Sequence, residues 1–131
     1  MRRMKIKPYY VLLCFLLFSG CIFDPSPNIL GEWEITLSGI PGMEKMQLNL
    51  SEQVNTETFR GSVCKTTEDC KEVTAWLFKG PEGPAQVLIV AEEFDLFFAG
   101  VLIGKHSMYG IVSTGLSEFK QGTWSAIRIE Q

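Results

Sequence analysis

From Gly31 onward the chain is cut into eight short strand-like runs, and none carries a helical period of useful length. The runs are Gly31–Leu37, Lys45–Ser51, Glu57–Cys64, Lys71–Lys79, Ala85–Ala91, Asp95–Ile103, Ser107–Ser113 and Gly122–Glu130. Turn formers separate them: Ser38-Gly-Ile-Pro-Gly42, Gly80-Pro-Glu-Gly-Pro84, Glu92-Glu93 and Gly104-Lys105. Links this short favour hairpins, with each strand antiparallel to the next. About 100 residues in eight strands suit a small antiparallel up-and-down barrel, because closing the sheet removes its exposed edges. A β-sandwich is the alternative packing for such an all-β chain.

Composition narrows the function classes. With 131 residues there is room for one domain, and 46% hydrophobic against 21% charged residues is an ordinary globular balance. The formal charge of −3 argues against a nucleic-acid partner, which needs a basic surplus. A single histidine, His106, excludes multi-histidine metal sites.

The first three runs alternate cleanly. Trp33, Ile35 and Leu37 share one face and Glu32, Glu34 and Thr36 the other; Met46, Leu48 and Leu50 oppose Lys45, Gln47 and Asn49. Phe59, Gly61 and Val63 likewise oppose Thr58, Arg60 and Ser62. The later runs lose this contrast. Trp76 and Phe78 oppose Val73, Ala75 and Leu77, and Val87–Val90 is apolar on both faces. Phe97 and Val101 oppose Phe98 and Leu102, and Tyr109 and Ile111 oppose Met108 and Val112. A barrel leaves its outside in water, so Trp76, Phe97, Val101, Tyr109 and Ile111 together predict an outer apolar patch, the mark of an interface. The fourth run is the weak point, because a bulge there would turn Trp76 inward. Gly61, Gly100 and Gly110 each sit between apolar residues two positions away, so they belong to the inner face. They are expected to mark bends that open space for a bulky ring across the barrel.

The start of the chain reads differently. Arg2, Arg3, Lys5 and Lys7 precede ten unbroken apolar residues, Tyr9 to Phe18. Ten is too few to span a bilayer, which takes about 20, and a basic head with a short apolar run reads as an export signal. The run ends Leu17-Phe18-Ser19-Gly20-Cys21, which resembles the bacterial lipoprotein signal, although Phe18 stands where the family usually has an aliphatic residue. The resemblance implies cleavage after Gly20, acylation of the Cys21 thiol and anchorage to a membrane by two or three chains. Ile22, not Asp, follows the cysteine; by the enterobacterial sorting rule this points to the outer membrane, facing the periplasm. Residues 1–20 are then the signal, 21–28 a tether reaching at most about 29 Å, and 29–131 the barrel domain. Removing the signal takes four cations and no acids, so the formal charge falls from −3 to −7. In the oxidising compartment this implies, Cys64 and Cys70 favour a disulfide. A two-cysteine metal site is the weaker reading, because no His or third Cys stands near to complete it.

Gly31-Glu-Trp33 opens the domain and Gly122-Thr-Trp124 nearly closes it, with Arg128 four residues on. A Gly-x-Trp on the first strand and an Arg on the last resemble the lipocalin and avidin superfamily of barrels. The resemblance implies that Trp33 closes the barrel base with Arg128 packed over it, a cation–π contact. It covers the fold and not a ligand. The interior, or a ligand lodged in it, would then be met by Trp33, Leu48, Phe59, Phe98, Met108, Trp124 and Arg128. No catalytic constellation, cofactor motif or metal signature appears. Glu92, Glu93 and Asp95 read as a solvated turn, as does His106. Two functions stay open: an anchored, non-enzymatic module that docks a copy or an envelope partner on its outer patch, or a carrier or sensor of a small apolar, lipid-like ligand inside the barrel. An interior cavity above about 300 Å³ would favour the carrier.

Overall fold

Eight strands follow one another without a crossover: β1 (Gly31–Ser38), β2 (Lys45–Gln53), β3 (Thr58–Thr66), β4 (Asp69–Phe78), β5 (Ala85–Ala91), β6 (Leu96–Ile103), β7 (Ser107–Ser113) and β8 (Gln121–Arg128). Each pairs antiparallel with the next, and β8 returns to β1, so the sheet is a closed up-and-down barrel rather than a sandwich. The structure, a computed structural model, describes residues 28–115 and 120–129. Residues 1–27, on which the expected export signal, Cys21 and the expected tether up to Pro27 fall, lie outside the described residues.

The strands begin and end close to where the turn residues place them. The largest departure is the β3–β4 hairpin, which runs on to Thr66 and restarts at Asp69, leaving only Thr67 and Glu68 between strands. Cys64 and Cys70 therefore face each other across the ladder, and they form a disulfide with Cα atoms 4.0 Å apart. The bond closes a small loop, for which the chain-entropy account gives about 2 kcal/mol. Replacing both cysteines with serine should lower the midpoint of thermal unfolding by about 10 °C without changing the fold. An unchanged midpoint would show that the bond constrains nothing.

Alternation determines what fills the barrel. Trp33, Leu48, Phe59 and Phe98 are wholly buried, and Met108 and Trp124 are at most 3% exposed. They form one cluster with Ile35, Leu50, Ile89 and Leu96. Phe98 meets Trp124 edge to face at 5.4 Å between ring centroids, a geometry that adds about 1 kcal/mol to simple burial. Both deep indoles have a partner: Trp33 Nε1 donates to the carbonyl of Ile29 at 2.9 Å, and Trp124 Nε1 to that of Ala99 at 3.2 Å.

The inward glycines work differently from the sequence expectation. A Cβ on Gly61 would lie 1.8 Å from the Asn49 carbonyl oxygen, one on Gly100 2.0 Å from that of Tyr109, and one on Gly110 2.0 Å from that of Ala99. The room is taken by the backbone of the neighbouring strand, not by a ring across the barrel. Gly100 and Gly110 are directly paired, so β6 and β7 close on each other where neither has a side chain. The link to a ring is indirect: the Ala99 carbonyl that fills Gly110's space is the one that accepts the Trp124 indole proton. Gly122 repeats the device against Ser38.

The two ends of the barrel differ. One end, here the proximal end, holds Asn28, the β2–β3, β4–β5 and β6–β7 turns and the close of β8. The distal end holds the β1–β2, β3–β4, β5–β6 and β7–β8 connections. Arg128 closes the proximal end. Its guanidinium carbon lies 4.3 Å from the Trp33 ring centroid. Its Nε donates to the carbonyl of Lys105 at 2.8 Å, Nη2 to that of Asn28 at 2.7 Å, and Nη1 to that of Leu30. Gly31 makes this possible: its φ is +121°, and a Cβ there would press on Nη1 at 3.0 Å. The two Gly-x-Trp triplets are therefore alike in spelling only, since Gly31 makes way for an arginine and Gly122 for a strand. Partial burial lowers the Arg128 pKa, but a guanidinium starts so high that it keeps its charge.

Candidate functional site

The residues expected on the outside do point outward, and the register lines them up. Trp76 pairs with Leu88, Leu88 with Ala99, Ala99 with Ile111 and Ile111 with Thr123, one row across five strands. The next row is Phe78, Gln86, Val101, Tyr109 and Ser125; on the distal side lie Thr74, Val90, Phe97 and Ser113. At the usual strand spacing each five-strand row runs about 19 Å around the barrel. The fourth strand carries no register shift, so Trp76 faces out; the irregularities fall at Leu50/Glu52 in β2 and Cys64/Thr66 in β3.

Exposure within the patch is graded. Tyr109 and Ile111 are about half exposed, at 54% and 49%, and Phe78 is 43% exposed. Trp76, Phe97 and Val101 are half-buried, partly shielded by their neighbours on the sheet. A shallow hollow of about 520 Å³ lies over the paired Gly100 and Gly110, edged by Phe78, Leu88, Val101, Tyr109 and Ile111.

Charge sets this face apart from the rest of the barrel. The outward positions of β1 to β4 include Glu32, Glu34, Lys45, Arg60 and Glu72. From Thr74 through β8, among the described residues, no outward strand position is charged. Apart from Arg128, which points inward at the barrel mouth, the described charges of this half sit in the turns instead, at Lys79, Glu82, Glu92, Glu93, Asp95, Lys105 and Lys120. Soluble β-proteins normally place charge on wet strand faces and blunt exposed surfaces with it. Leu88, Val90 and Phe78 belong to the same face and were not among the expected interface residues. Their signal was present: Leu88 and Val90 lie in the run that is apolar on both faces, and Phe78 shares the phase of Trp76.

The turn acids make a structural contact. Glu92–Phe94 is one 3₁₀ turn, Asp95 follows at φ 56°, and its Oδ1 accepts a hydrogen bond from the Gly115 amide at 3.2 Å. Among the described residues no group of three or more His, Cys, Asp or Glu converges as a metal would require. The backbone carbonyl of His106 accepts a hydrogen bond from the Arg128 amide at 2.9 Å. The larger clefts open at the barrel ends or on its outside, and their linings include none of Trp33, Leu48, Phe59, Phe98, Met108 or Trp124. No family model, curated protein or solved structure matches this chain.

Proposed function

We propose that this chain is a lipid-anchored lipoprotein of the cell envelope, held at the outer membrane and facing the periplasm, whose filled, lipocalin-like barrel is a non-enzymatic interaction module. Its docking surface is the uncharged outer face of β4 to β8, and its partner is an envelope protein or a second copy. The observation that carries the reading is the coincidence of two features: core rings packed out of reach of solvent, and, among the described residues, outward strand positions without charge from Thr74 to Ile127. A core filled this way leaves the outside as the place where recognition can occur. The same packing favours the module over a carrier, which needs room for a guest among Trp33, Phe59 and Phe98. Anchorage rests on the Leu17-Phe18-Ser19-Gly20-Cys21 sequence. Confinement to one membrane would also raise the effective concentration of partners that share it.

The test has two arms. Cys21→Ala should release the protein from membrane fractions or leave an uncleaved precursor, and normal processing with retention would refute the anchor. Ile111→Lys in the full-length lipoprotein should abolish the cross-linked species that the wild type forms in intact cells while the protein stays folded. Identical cross-linking by the variant would refute the docking face.

A further inference from the structure

The exposed large apolar side chains are unevenly placed. Besides Tyr109 and Ile111 on the docking face they are Val54, Phe78, Ile103 and Ile127, at 43%, 43%, 44% and 64% exposure. All four stand at the proximal end, one at each place where the chain turns or finishes there: the β2–β3 turn, the close of β4, the close of β6 and the close of β8. They ring the barrel mouth. The distal end has no such residue among those described; its apolar groups, Ile40, Met43 and Phe94, are buried or packed against the core.

Charge is divided in the same sense. The distal connections carry Glu44, Glu68, Asp69, Glu92, Glu93 and Asp95 against Lys45, Lys65 and Lys120. At the proximal end Lys79, Lys105 and Arg128 stand against Glu32, Glu52, Glu57 and Glu82, a smaller acidic excess. An open cleft of about 740 Å³ lies there between the β4–β5 and β6–β7 turns. Leu30, Ala85, Leu102 and Ile103 line it, with Lys79 and Lys105 at its edge. An apolar floor with cations beside it suits the boundary between acyl chains and phosphate headgroups.

The chain itself says which surface this end meets. Arg128 holds the carbonyls of Asn28 and Leu30, so the lead-in from residue 28 toward Cys21 departs from the proximal end. The stretch from Cys21 to Asn28 reaches at most about 29 Å. We infer that the proximal end is a membrane-contacting surface: Val54, Phe78, Ile103 and Ile127 rest in the headgroup region of the bilayer, Lys79 and Lys105 face its phosphates, and the acidic distal end points away. The inference rests on the anchor reading of Cys21. It also turns the docking face sideways, with only its proximal edge at Phe78 touching the lipid and the rows through Trp76, Ile111 and Phe97 standing clear of it, where a partner in the same membrane can reach them.

The experiment places single tryptophan reporters in the full lipidated protein, reconstituted in vesicles of phosphatidylethanolamine and phosphatidylglycerol with and without brominated acyl chains. Ile103→Trp reports the proximal end, Thr67→Trp the distal end and Ile111→Trp the side. Trp33, Trp76 and Trp124 give a background common to all three. The expected result is a blue shift and loss of emission on brominated lipid for Ile103→Trp alone. Flotation of all three with the vesicles but equal, background quenching would overturn the orientation and leave the anchor standing. Quenching of Ile111→Trp instead would lay the barrel on its side and overturn the orientation equally. Failure of the wild type to float would overturn the anchor and, with it, the inference.

Discussion

Gly100→Val will leave the chain unable to close its barrel. A Cβ at this position falls 2.0 Å from the Tyr109 carbonyl oxygen and 3.0 Å from the Gly110 Cα, and both are backbone atoms of the strand to which β6 is bonded. No rotamer change relieves such a contact; β6 and β7 must part, giving up ladder hydrogen bonds on either side. Overpacking against a side chain costs about 1–3 kcal/mol, and rigid backbone puts this case at the top of that range or above it. Against a total stability of about 5–15 kcal/mol, most of the protein should be insoluble or melt at least about 12 °C lower. Ala99→Val, one residue away but pointing outward and exposed, supplies the comparison and should stay within about 0.5 kcal/mol of wild type. Thermal unfolding of the two variants decides it. A Gly100→Val protein that melts like wild type would mean that β6 and β7 do not approach as described.

The second large effect separates inside from outside. Phe98→Lys removes a wholly buried ring that packs on Trp124 and puts an ammonium group beside the buried Ile89 and Val112 on the flanking strands. Losing the ring alone costs about 3–5 kcal/mol, and an unpaired buried charge adds several more, so the domain should not fold. Val101→Lys, on the opposite face of the same strand, should keep monomer stability within about 1 kcal/mol, because a lysine there can reach water along the sheet. It should nonetheless remove partner binding. Far-ultraviolet circular dichroism with size analysis separates the outcomes. A folded Phe98→Lys beside an unfolded Val101→Lys would reverse the assignment of faces.

The fold was legible because each strand states its own phase. Trp33, Ile35 and Leu37, or Met46, Leu48 and Leu50, tell which side is dry without knowledge of any neighbour, and the turn residues bound the strands to within one or two positions. Which atom fills the space beside a glycine is a different kind of fact. It depends on the register between strands, so Gly61, Gly100 and Gly110 could be placed on the inner face but not matched to Asn49, Tyr109 and Ala99. The ring formed by Val54, Phe78, Ile103 and Ile127 was hidden for the same reason. These residues are scattered along the chain, and only the up-and-down course returns every second turn to one end. The disulfide was visible through the resemblance, which assigns Cys14 to the signal and Cys21 to the lipid, leaves Cys64 and Cys70 and implies an oxidising compartment; that the two face each other across one ladder needed the register. The stacking of Arg128 on Trp33 came from resemblance; the local reason for it, a left-handed Gly31 that clears the way for the guanidinium, needed coordinates.

Recognition on the outside of a filled barrel is tested most directly by native mass spectrometry of the wild-type protein released from gentle detergent. If the proposal holds, the spectrum shows the mass of an acylated mature chain with no additional apolar molecule retained per barrel, in a dimer or with an envelope protein attached, and that assembly is lost in Val101→Lys. A monomer that retains one small apolar ligand, in wild type and Val101→Lys alike, would contradict it and show the barrel to be a carrier.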